Sequence, residues 1–176
     1  MDGVIVTYTG VEIEPLRPDP ALIRIEDIAH ALSNNCRFTG HVREFYSVAQ
    51  HSVYVSRHVP SEDALEGLLH DASEAYLSDI ARPVKMQPEF GAVYKTAEER
   101  LERAIAKRFD LVWPWPESVR SADNVLLRTE QRDLMPGLRH LEGEEFYCIP
   151  ETPIKGWSPA RARTAFLSRY LALEGS

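Results

Sequence analysis

The sequence predicts a mainly α-helical single domain with a small N-terminal β-hairpin. Apolar residues recur at three- and four-residue spacing over segments beginning near residues 25, 42, 62, 91, 117 and 159, the period of helices with one buried face. A β-branched run at residues 4–15, Val-Ile-Val-Thr-Tyr and then Val-Glu-Ile-Glu about Thr9-Gly10, reads as two short strands and a turn. The 176 residues, 44% hydrophobic and 27% charged, contain no repeat, low-complexity stretch or linker, and suffice for one core spanning residues 1–176.

The hairpin is followed by an irregular segment marked by Pro15, Pro18 and Pro20; a frayed N-terminal arm is the competing reading of residues 4–15. Ile25, Ile28, Ala29 and Leu32 open the first helix, and Ser33-Asn34-Asn35 stops it. Residues 36–41 form a turn, and Val42 to Val59 a second helix with Phe45, Val48, Ser52 and Val55 on one face. After Pro60, Ser61 is placed to cap a helix running from about Glu62 to Leu77, which breaks before Pro83. Helices over about 91–109 and 117–135 flank the rigid loop Trp113-Pro114-Trp115-Pro116, whose tryptophans plug the core or stack on a ligand. Pro136-Gly137 ends the second of these helices, and Phe146 to Ile149 reads as a short strand. Ser158-Pro159 starts the last helix, which runs to about residue 173.

The formal net charge of −7 argues against nucleic-acid and membrane-surface binding, though a locally basic pocket still suits a small anion. Cys36 and Cys148 form no C-x-x-C, which fits a reducing cytoplasm. The apolar run Val4 to Val6 is too short for a signal peptide or a membrane span.

Chemistry concentrates in His70-Asp71-Ala-Ser-Glu74-Ala-Tyr-Leu-Ser-Asp79. A carboxylate between Leu69 and Ala72 is costly to bury unless it is paired or binds a metal. His51 shares the face of Val48 and Val55, and Asp123 that of Val119 and Leu126. Three helices thus each aim a ligand inward. Two imidazoles and two carboxylates suit Mn²⁺, Co²⁺, Fe²⁺, Ni²⁺ or Zn²⁺ better than Ca²⁺ or Mg²⁺. Glu74, one turn from His70, is placed to orient or deprotonate a water, or to protonate a leaving oxygen. Taken singly, His51 also reads as a satisfied core histidine, Asp123 as a cap or surface residue, and Glu74 as a solvated helix residue.

Five motifs carry a resemblance: Cys-Arg37-Phe-Thr-Gly-His; Ala-Gln-His51-Ser; His70-Asp71-Ala-Ser-Glu74; Ser-Asp79-Ile-Ala-Arg-Pro83-Val-Lys85; and Ala122-Asp123-Asn-Val-Leu. In this order they resemble the HD-domain metal phosphohydrolases. Within them they are most similar to the 5′-deoxynucleotidase-like branch, which includes small phage-encoded deoxynucleoside triphosphate hydrolases. The resemblance covers about residues 25–135 and implies an HD-domain helical bundle. It implies metal binding by His51, His70, Asp71 and Asp123, with Asp71 and Glu74 catalytic, and a cofactor of one divalent ion: Co²⁺, Mn²⁺ or Zn²⁺, with Fe²⁺, Ni²⁺ and Mg²⁺ as further choices. Arg37 and Lys85 then meet phosphate, Asp79 meets the sugar 3′-hydroxyl and so prefers deoxyribose, and Phe38, Gly40 and Pro83 complete the substrate contacts. The implied reaction is attack of a metal-activated water on the phosphorus nearest the sugar, in a deoxynucleoside triphosphate or a 5′-monophosphate. Arg37, Arg43, Arg82 and Lys85 supply the positive field that a triphosphate needs, and the short, phage-like chain tips the choice slightly toward it without excluding the monophosphate. A catalytically silent HD-fold module that binds a nucleotide and regulates a partner is the alternative. The resemblance also implies a homo-oligomer. Of the remaining histidines His30, His41, His58 and His140, only His140 follows Asp71, which favours a mononuclear site.

Overall fold

In the computed structural model, which describes residues 3–136 and 153–174, the hairpin forms in shortened compass. Strand β1 (Ile5–Val6) pairs antiparallel with β2 (Glu12–Ile13), Ile5 opposite Ile13 and Val6 opposite Glu12. In the connecting turn Gly10 N–H donates to the Thr7 carbonyl at 3.0 Å and Thr7 N–H to the Val11 carbonyl at 2.9 Å. Gly10 sits at φ +80°, the left-handed position that closes a three-residue hairpin loop. The hairpin is not a frayed arm. Ile13 is buried in the core, and Thr9 donates to the Asp27 carboxylate from both its N–H (2.7 Å) and its hydroxyl (3.0 Å).

Asp27 belongs to α1 (Ile25–Asn34), which ends where the Ser-Asn-Asn run predicts. The second helix starts later than its apolar spacing suggests: α2 spans Val48–Arg57. Ser47 takes the N-cap and accepts from Gln50 N–H at 3.2 Å. The preceding residues run extended, with Arg37 N–H bonded to the Tyr46 carbonyl and Val48 N–H to the Asn35 carbonyl. A side-chain cap and a bridge across the turn outcompete the apolar periodicity there, so Phe45 lies before the helix rather than on its face.

The helix expected over 62–77 is broken in two, α3 (Ala64–Leu69) and α4 (Glu74–Leu77). Between them the N–H groups of Ala72, Glu74, Ala75 and Tyr76 bond three residues back rather than four. This tightening, common where a helix serves a site, falls on His70 and Asp71. Ser61 does not cap the helix. Pro60 turns the chain one residue earlier, and the Ser61 hydroxyl donates to Glu62. Pro83 sits inside a new short helix, α5 (Arg82–Lys85). Helices α6 (Pro88–Phe109), α7 (Glu117–Leu134) and α8 (Pro159–Glu174) follow the predicted spans closely, and Ser158 Oγ caps α8 by accepting from Arg161 N–H. Phe146 to Ile149, with Gly137, His140 and Cys148, lies outside the described residues.

The protein is therefore mainly α-helical with a small antiparallel hairpin. The main apolar cluster joins α1, α2, α3, α6 and α8 through Ile28, Leu32, Val53, Leu68, Leu101 and Phe166. A second cluster, Val55, Val119, Ala122 and Leu126, fastens α7 to α2. Among the described residues no helix is long and apolar enough to cross a membrane. Helix α8 lies beyond the span of the five motifs yet packs on α1, α2 and α3. Phe166→Ala, which empties a fully buried site on α8, is expected to lower unfolding free energy by about 3–5 kcal/mol in chemical denaturation. A loss below about 1 kcal/mol would show that α8 is an accessory rather than part of the core.

Candidate metal centre

The site forms where α2 and the α3–α4 turn meet. His51, one turn into α2, has its Nδ1 2.5 Å from Glu130 Oε1. His70 has its Nδ1 2.9 Å from the Gly67 carbonyl. A carbonyl oxygen only accepts, so Nδ1 of His70 carries the hydrogen and Nε2 is left to present its lone pair. Both rings therefore turn Nε2 inward, with centroids 5.3 Å apart.

Asp71 Oδ2 lies 3.3 Å from His70 Nε2 and 3.6 Å from His51 Nε2. Asp123 Oδ1, on α7, lies 3.0 Å from His51 Nε2 and 4.0 Å from His70 Nε2. The ligand atoms of His51, His70 and Asp71 all fall within 4.8 Å of one another. Asp123 stands on the open side, its side chain 37% exposed. Despite these approaches, neither buried Nε2 has a hydrogen-bond partner. Unpartnered buried nitrogens beside carboxylate oxygens fit a divalent ion, since metal bonds of about 2.0–2.2 Å leave neighbouring donor atoms about 3–4 Å apart.

The charges are sorted. Burial opposes ionisation of Asp71, but His70, then His51 and Arg37, hold its pKa far below the usual carboxylate range. Burial and Arg37 disfavour the His51 cation, yet Glu130 and Asp123 outweigh them and raise its pKa to about 10. His70 moves upward too, its burial outweighed by Asp71 and Asp123. Glu74 goes the opposite way from Asp71: burial first, then Asp71 and Asp79, push it well above the ordinary range. Its Oε1 is 3.3 Å from Lys85 Nζ, and its Oε2 is buried without a partner. Burial also raises the half-buried Asp79.

The residues expected at the substrate divide into two groups. Arg37 is buried, its Nε donating to Glu130 Oε2 at 3.1 Å and its Nη1 reaching Asp71 Oδ2 at 3.4 Å. Lys85 bridges Glu74 and Glu98, the latter at 3.0 Å, above the Tyr94 ring. Asp79 faces Glu74 electrostatically. Phe38, Thr39 and Gly40 form a left-handed turn at φ 55°, 54° and 79°, closed by His41 N–H donating to the Phe38 carbonyl. The Arg37 guanidinium lies 5.6 Å from the Phe38 ring centre. Gly40 and Pro83 are exposed, and among the described residues no hydrogen bond or ion pair joins them to the cluster. His41 is exposed as well. Trp113 and Trp115 direct both indole N–H groups to Glu102, and Trp115 packs on the second apolar cluster.

Glu130 and Tyr46 escaped the sequence reading. Both are fully buried, and Tyr46 donates its hydroxyl to Glu130 Oε1 at 2.8 Å. Glu130 lies four residues after Leu126 and seven after Asp123, on the buried face of α7. Like Asp123, it is a carboxylate sharing an apolar stripe of its helix.

A His-His-Asp cluster in a mainly helical fold is consistent with an HD-domain-like metal site. No family model matches the chain. It is 48% identical over 174 residues to the uncharacterized protein YfdR of Escherichia coli (strain K12), covering 94% of this chain and 93% of that protein. It is 32% identical over 184 residues to the uncharacterized protein RCAP_rcc00048 of Rhodobacter capsulatus, covering 94% and 92%. The chain belongs to the family of these two proteins.

Metal affinity is expected to rise with pH, because the proton competes with the ion for each imidazole nitrogen. Both histidines hold protons more tightly than an ordinary imidazole, His51 with its pKa raised to about 10, so a metal entering at neutral pH displaces a proton from His51. Calorimetry in buffers of different ionisation enthalpy reads this release directly. Binding without proton release would show that the histidines are already neutral.

Proposed function

We propose that the chain is a divalent-metal-dependent phosphohydrolase of deoxynucleotides, active as a homo-oligomer. The observation that carries the reading is the pair of buried, unpartnered Nε2 atoms facing Asp71, with Glu74 of raised pKa beside them. His51, His70, Asp71 and Asp123 are the ligand set for one Co²⁺, Mn²⁺ or Zn²⁺. An ion held there supplies a Lewis acid that acidifies water and polarises a phosphoryl oxygen.

The protein's own groups do the rest. In the reaction a water oxygen bonds to the phosphorus nearest the sugar and the bond from that phosphorus to the 5′ oxygen breaks. The 5′ oxygen then needs a proton. Glu74, whose proton affinity is raised by burial and by Asp71 and Asp79, is suited to give it. Lys85 holds Glu74 by Oε1 and leaves Oε2 free of other bonds. Arg37 and Lys85 bring positive charge to the phosphates; each already bridges two carboxylates, so an arriving phosphate shares or exchanges those partners. Asp79 accepts from the sugar 3′-hydroxyl, and Phe38, Gly40 and Pro83 frame the sugar and base. With exposed Arg43 and Arg82 adding charge, the triphosphate is preferred to the monophosphate.

The test is incubation of metal-stripped protein with each dNMP and dNTP, restoring Co²⁺, Mn²⁺, Zn²⁺ or Mg²⁺ in turn, with chromatography of the products. Deoxynucleoside plus triphosphate is expected, lost in Asp71→Ala and slowed about 10²–10⁴-fold in Glu74→Gln. Release of phosphate from dNMPs alone would replace the triphosphate reading with a 5′-nucleotidase. No turnover with any of the metals would overturn the hydrolase reading on these substrates.

A further inference from the structure

Glu130 is a fully buried carboxylate with both oxygens engaged. Oε1 meets His51 Nδ1 at 2.5 Å and accepts from the Tyr46 hydroxyl at 2.8 Å, while Oε2 accepts from Arg37 Nε at 3.1 Å. These partners come from three places: α2, the extended residues before it, and the left-handed turn after α1. No contact with substrate or metal is open to Glu130, since His51 and Arg37 stand between it and the cluster.

We propose that Glu130 is a positioning residue that sets the metal centre from behind, through His51 and Arg37 at once. A carboxylate on Nδ1 makes Nδ1 the donor nitrogen, so Nε2 is the one turned to the cluster. The same bond raises the ligand strength of the imidazole, as carboxylates behind metal-bound histidines do. Through Oε2 it fixes the guanidinium so that Nη1 reaches Asp71 Oδ2 at 3.4 Å. One side chain thereby orients a nitrogen ligand directly and an oxygen ligand by way of Arg37. The inference rests on reading His51 and Asp71 as metal ligands.

The experiment compares the full-length protein with Glu130→Gln and Glu130→Asp. Gln keeps the length and removes the charge. Asp keeps the charge and draws the carboxylate back by one methylene. Dissociation constants for Mn²⁺ and Zn²⁺ are measured by titration, alongside the proton shift of the His51 Nδ1–H in the zinc-loaded protein and the melting temperature without metal. Each variant is expected to bind metal about ten- to a hundred-fold more weakly, with the Nδ1–H resonance moved upfield from its hydrogen-bonded position. Metal binding and Nδ1–H shift both unchanged in a folded variant would overturn the proposal. If Glu130→Gln fails to fold, Glu130→Asp decides by the same readouts. Failure of the unsubstituted protein to bind either ion would instead overturn the metal-site reading itself, and the role of Glu130 toward the metal with it.

Discussion

Two imidazole nitrogens, Nε2 of His51 and Nε2 of His70, are buried with no hydrogen bond to receive them. Burying an unsatisfied polar group costs about 1–3 kcal/mol, and here two stand side by side. The surrounding structure nonetheless holds them in place. The Gly67 carbonyl and Glu130 occupy the far nitrogens, so neither ring can turn to satisfy its Nε2 without abandoning the other bond. Asp71 and Asp123 supply oxygens at 3.0–4.0 Å. A folded chain retains such an arrangement when a ligand completes it.

Around that pair the carboxyl groups divide by environment. The half-buried Asp71 and the fully buried Glu130 are flanked by Arg37 and histidine, which lower the pKa of both, that of Asp71 far below the usual carboxylate range. The buried Glu74 and half-buried Asp79 have Asp71 as a like-charged neighbour, and both are pushed up. Groups whose surroundings drive their proton affinities apart are the usual division between ligand or base and acid. Arg37 is what allows the division. Burial opposes its charge, but Glu130, Asp71, Asp123 and Glu74 all favour the cation. Its contact with Asp71 at 3.4 Å favours the anionic form of that carboxylate.

Much of the fold was legible in the sequence, because helix existence follows from apolar spacing over long segments, as α6 and α7 show. The departures fall where local bonding overrides periodicity. Ser47 and the bridge between Cys36 and Ser47 delay α2, and the tightened turn at residues 70–73 splits a helix whose apolar pattern runs on unbroken. The cluster of His51, His70 and Asp71 was anticipated from a mismatch: ionisable groups on apolar faces. Glu130 carries the same mismatch and was passed over, because its partners Arg37 and Tyr46 lie 93 and 84 residues away in sequence and no local pattern joins them. That Arg37 would face inward to Asp71 and Glu130 is likewise a tertiary fact.

The closeness of the two histidines depends on how tightly α2 and α3 cross. Gly67 sits at that crossing. A Cβ there would stand 3.1 Å from the Ser56 backbone and 3.2 Å from the Val59 side chain, so a larger residue would wedge the helices apart. The Gly67 carbonyl is also the group that holds His70 Nδ1, which places the packing contact and the ring's anchor on one residue. Ser56 fastens the same crossing by donating its hydroxyl to the Ala64 carbonyl at 2.7 Å. Arg169 of α8 then donates to Ser56 twice, to Oγ and to the carbonyl, each at 2.9 Å. Helix α8 contributes no group to the cluster. It clamps the pair of helices that carry the histidines, and so takes part in the site's geometry from outside the stretch in which the site's motifs are found.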